Sequence, residues 1–165
     1  MRTTIGCLGI LLTCSCSQLA HQSNSGTSEA TMRRQEEVRQ IVFGQSSEGI
    51  GCEIRGPLTI DQVRAEVNRR DARMDEGMSR MIAGTKEESV RRYLESTRNR
   101  IVDANGVSLR LEGQDWNSFE RAYKGGGEIY YVKSGPQSWR ELLGSEKYVV
   151  IRKNRVSNAL LISMN

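Results

Sequence analysis

Histidine does most general acid–base work near neutral pH, and this chain of 165 residues has one, His21, far from any patterned segment. The patterned part therefore has no Ser–His or Cys–His dyad and no histidine metal site. Carboxylates, a thiol, a glycine run and arginines remain. Asp71 and Asp75 lie one helical turn apart, a spacing that permits two-carboxylate hydrolysis if a cleft holds the groups about 5 to 9.5 Å apart. Glu128 is a third candidate acid. Asp71 and Asp75 sit among Arg69, Arg70 and Arg73, which reads as an exposed, charge-balanced face. Cys52 lies in Gly49-Ile50-Gly51-Cys52-Glu53. A nearby cation would lower its pKa and activate it. Arg55 works for this and Glu53 against it, so an inert, buried thiol is expected. Gly125-Gly126-Gly127 follows a helical pattern and precedes a strand pattern. Phosphate cradles have the reverse order, with glycines opening a helix, so these glycines read as a helix stop and loop.

The arginines are the remaining chemistry. Lysines are few (Lys86, Lys124, Lys133, Lys147 and Lys153), and arginine suits bidentate contact with carboxylate or phosphate. Glu66–Arg70, Glu76–Arg80, Glu87–Arg91 and Glu88–Arg92 are i,i+4 pairs, worth about 0.2–0.5 kcal/mol each on a helix, and read as self-paired. Arg69, Arg73, Arg98 and Arg100 lack such partners and form the candidate anion-binding set. The formal charge of +4 is too small to imply a nucleic-acid partner. Seven of the nine aromatics fall between Trp116 and Tyr148, marking a core or a ligand platform. Trp116, Phe119 and Tyr123 at helical spacing favour core, and Tyr130 or Tyr131 is the expected surface aromatic.

The elements that must position these residues follow from periodicity. A helix is predicted over 29–43, stopped by Gly44, then a glycine-rich loop with a short strand over 51–55. Thr59 and Gln62 form a capping box for a helix to about residue 83, striped by Val63, Val67, Met74, Met78 and Met81. Thr85 and Glu88 form a second box for a helix to about residue 104. The two make an αα-hairpin, with the methionines packed between them. Alternation predicts a half-buried strand over 107–111. Short helices follow from Asp115 and from Pro136, the second carrying Trp139, Leu142 and Leu143. Strands are predicted over 128–133, 147–152 and 155–163, with Lys153-Asn154 as a hairpin turn. These strands are apolar on both faces, which predicts cover on both. The fold class expected is α+β: an N-terminal helical hairpin packed on a mainly antiparallel sheet of about four strands, with short connecting helices.

The first residues read differently. Arg2 precedes an apolar run over 5–12, too short to span a bilayer, which takes about 20 residues, and laid out like a secretory signal. Leu12-Thr13-Cys14-Ser15-Cys16 follows. The region resembles a bacterial lipoprotein signal, in which a peptidase cuts before a cysteine that carries diacylglycerol. The resemblance implies lipidation at Cys16, with Cys14 as the alternative acceptor, and covers only residues 1–16. Ordinary signal cleavage near Ala20 is the rival. Expected domains are a signal peptide over 1–15, a lipid-accepting cysteine and polar tether over 16–28, and one α+β domain over 29–165, best patterned over 59–165. The domain keeps about 120 to 135 residues, enough for a core without disulfides.

The expected function is a non-enzymatic, lipid-anchored bacterial envelope protein acting as a binding or interaction module. Its partners would be the membrane, through the N-terminal lipid, and an envelope protein or a second copy. The place is the extracytoplasmic side of the envelope, or else a secreted or periplasmic state. No motif calls for a cofactor or a metal. The alternative is a small secreted hydrolase using carboxylates, which requires acidic groups to converge in a concave pocket.

Overall fold

The computed structural model describes residues 25–164. The expected export signal, Cys14, Cys16 and the expected tether through residue 24 lie outside the described residues. Helix α1 spans Ser25–Phe43, so it begins inside the segment expected as tether. It stops at Gly44, whose φ of 57° suits a residue without Cβ. Strand β1 is Glu53–Leu58. Helix α2 is Ile60–Gly84, entered through the expected capping box. The Thr59 hydroxyl accepts from the Gln62 N–H at 3.2 Å, and the Gln62 side chain accepts from the Thr59 N–H at 2.8 Å.

Helices α3 (Glu88–Arg98) and α4 (Gln114–Lys124) come next, then β2 (Glu128–Lys133), α5 (Pro136–Arg140), β3 (Ser145–Arg152) and β4 (Arg155–Met164). The strands form one antiparallel sheet in the order β1-β2-β3-β4. Lys153 and Asn154 join β3 to β4 with φ of 52° and 56°, the left-handed geometry of a two-residue hairpin. The fold is α+β, built on a four-stranded antiparallel sheet.

Strand alternation divides the apolar residues between two clusters. Ile129, Tyr131, Tyr148, Val150 and Leu160 face Val63 and Val67 of α2 and Trp116 and Phe119 of α4. Tyr130, Val132, Val149 and Ile151 face Val38 and Phe43 of α1. The glycine run ends α4 as expected. A Cβ on Gly127 would lie 2.2 Å from the Val150 side chain, so only glycine lets the chain enter β2 there. On β4 the first face is closed and the second only half covered: Leu160 is 4% exposed and Leu161 46%.

Several expectations are corrected. The hairpin meets the sheet only through the first half of α2, whose buried residues are Val63, Val67 and Asp71; α3 has none. Met74 and Met81 are exposed rather than packed between helices. The α3 N-cap is Glu87 without a side-chain bond, and the helix ends at Arg98. In place of a strand over 107–111 there is an isolated bridge, Val102 with Ser108, and a 3-10 turn at Leu109–Leu111. Ser108 is buried because its hydroxyl donates to Asp71 at 2.5 Å and its N–H to Asn68 at 3.2 Å. Polar anchoring to α2 thus overrides the apolar alternation. Leu142 and Leu143 lie beyond α5 and are exposed. Tyr130 and Tyr131 are both buried.

Candidate functional site: an arginine-lined cleft

Helix α2 carries two stripes. Val63, Val67 and Asp71 face the core, while Glu66, Arg69, Arg70 and Arg73 recur at i, i+3, i+4 and i+7, the spacing of one helical face. This second stripe overhangs the sheet where the core ends. The sheet floor there is a cross-strand row, Arg55 opposite Tyr131 and Tyr131 opposite Tyr148. Between stripe and floor lies a cleft of about 450 Å³, lined by these residues and by Glu146.

The floor is tied together across three strands and a helix. The Tyr148 hydroxyl donates to Glu66 at 2.5 Å, and the Tyr131 hydroxyl donates to Glu146 at 2.8 Å. The two rings meet edge to face, with centroids 5.5 Å apart. Arg55 donates to Glu66 at 3.1 Å, reaches Glu53 at 3.2 Å, and lies 4.1 Å from the Tyr131 ring centre. Arg70 pairs with Glu146. The expected Glu66–Arg70 pair is replaced by these longer-range contacts. Glu76–Arg80 and Glu88–Arg92 do form, whereas Arg91 reaches Glu88 rather than Glu87.

This network sets the charge states. Burial pushes the Glu66 carboxyl up, but bonds from Tyr148 and Arg55 outweigh it and hold it below its ordinary value. Burial likewise opposes bonds from Arg70 and Tyr131 at Glu146, and the bonds win. Burial, then the bond to each glutamate, raises the pKa of both tyrosines. Neither carboxylate is a proton donor near neutral pH, so the pair lacks the divided roles that acid–base hydrolysis needs. The carboxylates position Arg55 and Arg70, each of which still has unused N–H donors.

Arg69 and Arg73 form the rim. Both are exposed, Arg69 donates to the Ala65 carbonyl at 3.3 Å, and among the described residues neither forms an ion pair. The other two members of the predicted anion-binding set lie elsewhere. Arg98 is clamped to Asp75 by bonds of 2.5 and 3.4 Å, linking α3 to α2, and Arg100 is exposed past the end of α3. The four do not make one stripe.

The candidate acids do not converge. Asp71 is 1% exposed, accepts from Ser108, and lies 3.5 Å from Arg110. Asp75 holds Arg98. Glu128 accepts from Arg34 at 2.5 Å, beside Tyr130 on the α1 side of the sheet. Cys52 is half-buried, and burial raises its pKa. Among the described residues no group of three or more His, Cys, Asp or Glu is placed to hold a metal ion, and no helix is long and apolar enough to cross a membrane.

Sequence reasoning missed Arg55, Glu66, Glu146 and the two tyrosines as site residues. One signal was available in the polar i, i+3, i+4, i+7 stripe of α2. The chain matches no protein-family model, no curated protein and no solved structure, so the cleft itself carries the functional argument.

Proposed function

We propose that this protein is a non-enzymatic, lipid-anchored component of the bacterial cell envelope whose folded domain binds an anionic partner in the arginine-lined cleft. One observation carries the binding half. Two arginines that form no ion pair among the described residues stand on the rim of a concavity whose own carboxylates are already bonded to other groups. An incoming anion meets donors already positioned, and no internal carboxylate has to be displaced from Arg69 or Arg73. The anchor half is supported by the charged, apolar and cysteine-bearing run over 1–16.

Two measurements test the proposal. Metabolic labelling with a fatty-acid probe marks the protein, and Cys16→Ser abolishes the signal. Label retained in Cys16→Ser and lost in Cys14→Ser reassigns the acceptor, and no label at all rejects the anchor. Co-purification from detergent-solubilised envelopes recovers a partner with the natural chain but not with Arg69→Gln plus Arg73→Gln. Equal recovery rejects the cleft as the binding site.

A further inference from the structure

A second cavity of about 590 Å³ adjoins the first, and the two share Arg70 and Glu146 as wall. Sheet register explains why they are neighbours. Two residues along from the Arg55–Tyr131–Tyr148 row runs the row Glu53, Lys133, Glu146 and Ser163, and all four of those residues line the second cavity. One face of one sheet therefore floors both, and together they make a groove divided by the Arg70–Glu146 pair. At the far end stand Pro136 and Trp139. The Trp139 indole N–H donates to the Ser134 carbonyl at 3.1 Å. A Cβ on Gly144 would lie 2.5 Å from the ring. The indole is thus held in place by its neighbours.

We infer that this groove takes an acidic oligosaccharide, a chain of at least two carboxylated sugar rings, with a carboxylate on Arg69 and Arg73 and a ring against Trp139 and Pro136. The inference rests on the reading of the cleft as an anion-binding site and names its ligand. Three features select sugar over an acidic peptide. No Leu, Ile, Val or Met side chain lines either cavity, so the apolar surface there is ring faces, which suit a flat sugar ring, with no aliphatic pocket. The edge of β1 is not freely open for strand addition, because the Ile54 carbonyl already accepts from Gln35 at 3.2 Å. The groove wall alternates donors (Arg55, Arg70, Lys133) with acceptors (Glu53, Glu146). Sugar hydroxyls, each both donor and acceptor, meet such a wall along its whole length.

The test is titration of the full chain in detergent, at about 0.15 M salt where exposed charges are screened beyond about 8 Å. The probes are tri-galacturonate, mono-galacturonate, the neutral methyl ester of the trimer, tri-glutamate and inorganic phosphate. The trimer is expected to bind about tenfold tighter than the monomer, the methyl ester or tri-glutamate. Arg69→Gln plus Arg73→Gln weakens the trimer and the monomer alike, whereas Lys133→Gln weakens the trimer alone. Unchanged thermal melting of these variants confirms that they fold. Tri-glutamate or phosphate binding as tightly as the trimer overturns the sugar assignment and leaves the anion site standing. So does a trimer no tighter than the monomer. If no anion binds, or if the double arginine variant binds like the natural chain, the anion-site reading itself fails.

Discussion

Glu146 shows how the site reuses groups that a sequence pattern assigns elsewhere. It is 9% exposed, accepts from the Tyr131 hydroxyl and pairs with Arg70, and is held below its ordinary pKa. A depressed carboxylate stabilises the fold above its unfolded value of about 4.3, and that contribution is lost as pH falls through the folded value. Glu146→Gln keeps an acceptor for Tyr131 but removes the charge facing Arg70. It should cost about 1.5–3 kcal/mol at pH 7, the range for a charge-assisted bond, and progressively less as pH falls below about 4. Urea denaturation at pH 7 and pH 3 checks this. A gap of equal size at both would show that packing, not charge, sets the effect.

At the scale of elements, β4 is the informative strand. Leu160 and Leu161 are adjacent, equally apolar and on opposite faces, and only Leu160 is buried. Period-two alternation could not separate them, because it reports which residues share a face and not whether anything lies on that face. Leu160→Ala should cost about 2–5 kcal/mol, and Leu161→Ala under about 1 kcal/mol, in chemical denaturation at two protein concentrations. A cost at Leu161 that shrinks on dilution would show a second copy covering that face. Helix α1 covers the sheet face opposite the one on which α2 of the hairpin packs. Its Val38 is fully buried against Tyr130, Val132, Val149 and Ile151.

At the scale of the whole molecule, the distal hairpin is the part least joined to the rest. Helix α3 has no buried residue, and Tyr93 is 70% exposed. The Arg98–Asp75 clamp is a polar link from α3 to α2. Few buried contacts mean a low free energy of local opening, so amides of α3 should exchange with solvent faster than those of β2 and β3. Met81→Gln should change stability by no more than about 0.5 kcal/mol, whereas Val67→Ala, in the α2 segment on the sheet, should cost about 1.5–3 kcal/mol. Equal protection of α3 and β2 in hydrogen exchange would place the hairpin in the cooperative core.

The sequence by itself determined the local elements. The Thr59 capping box, the glycine stop before β2 and the Lys153-Asn154 turn rest on contacts within a few residues, and each is where it was expected. Only the tertiary structure decided the cleft. Tyr148 reaches Glu66 across 82 residues and Arg70 reaches Glu146 across 76, spans over which no periodicity carries information. These contacts displaced the local Glu66–Arg70 pair for an energetic reason. An exposed i,i+4 pair offers about 0.2–0.5 kcal/mol, while a charge-assisted bond offers about 1.5–3 kcal/mol. The strand over 107–111 failed by the same rule, because the buried Asp71 carboxylate required a donor and Ser108 supplied it.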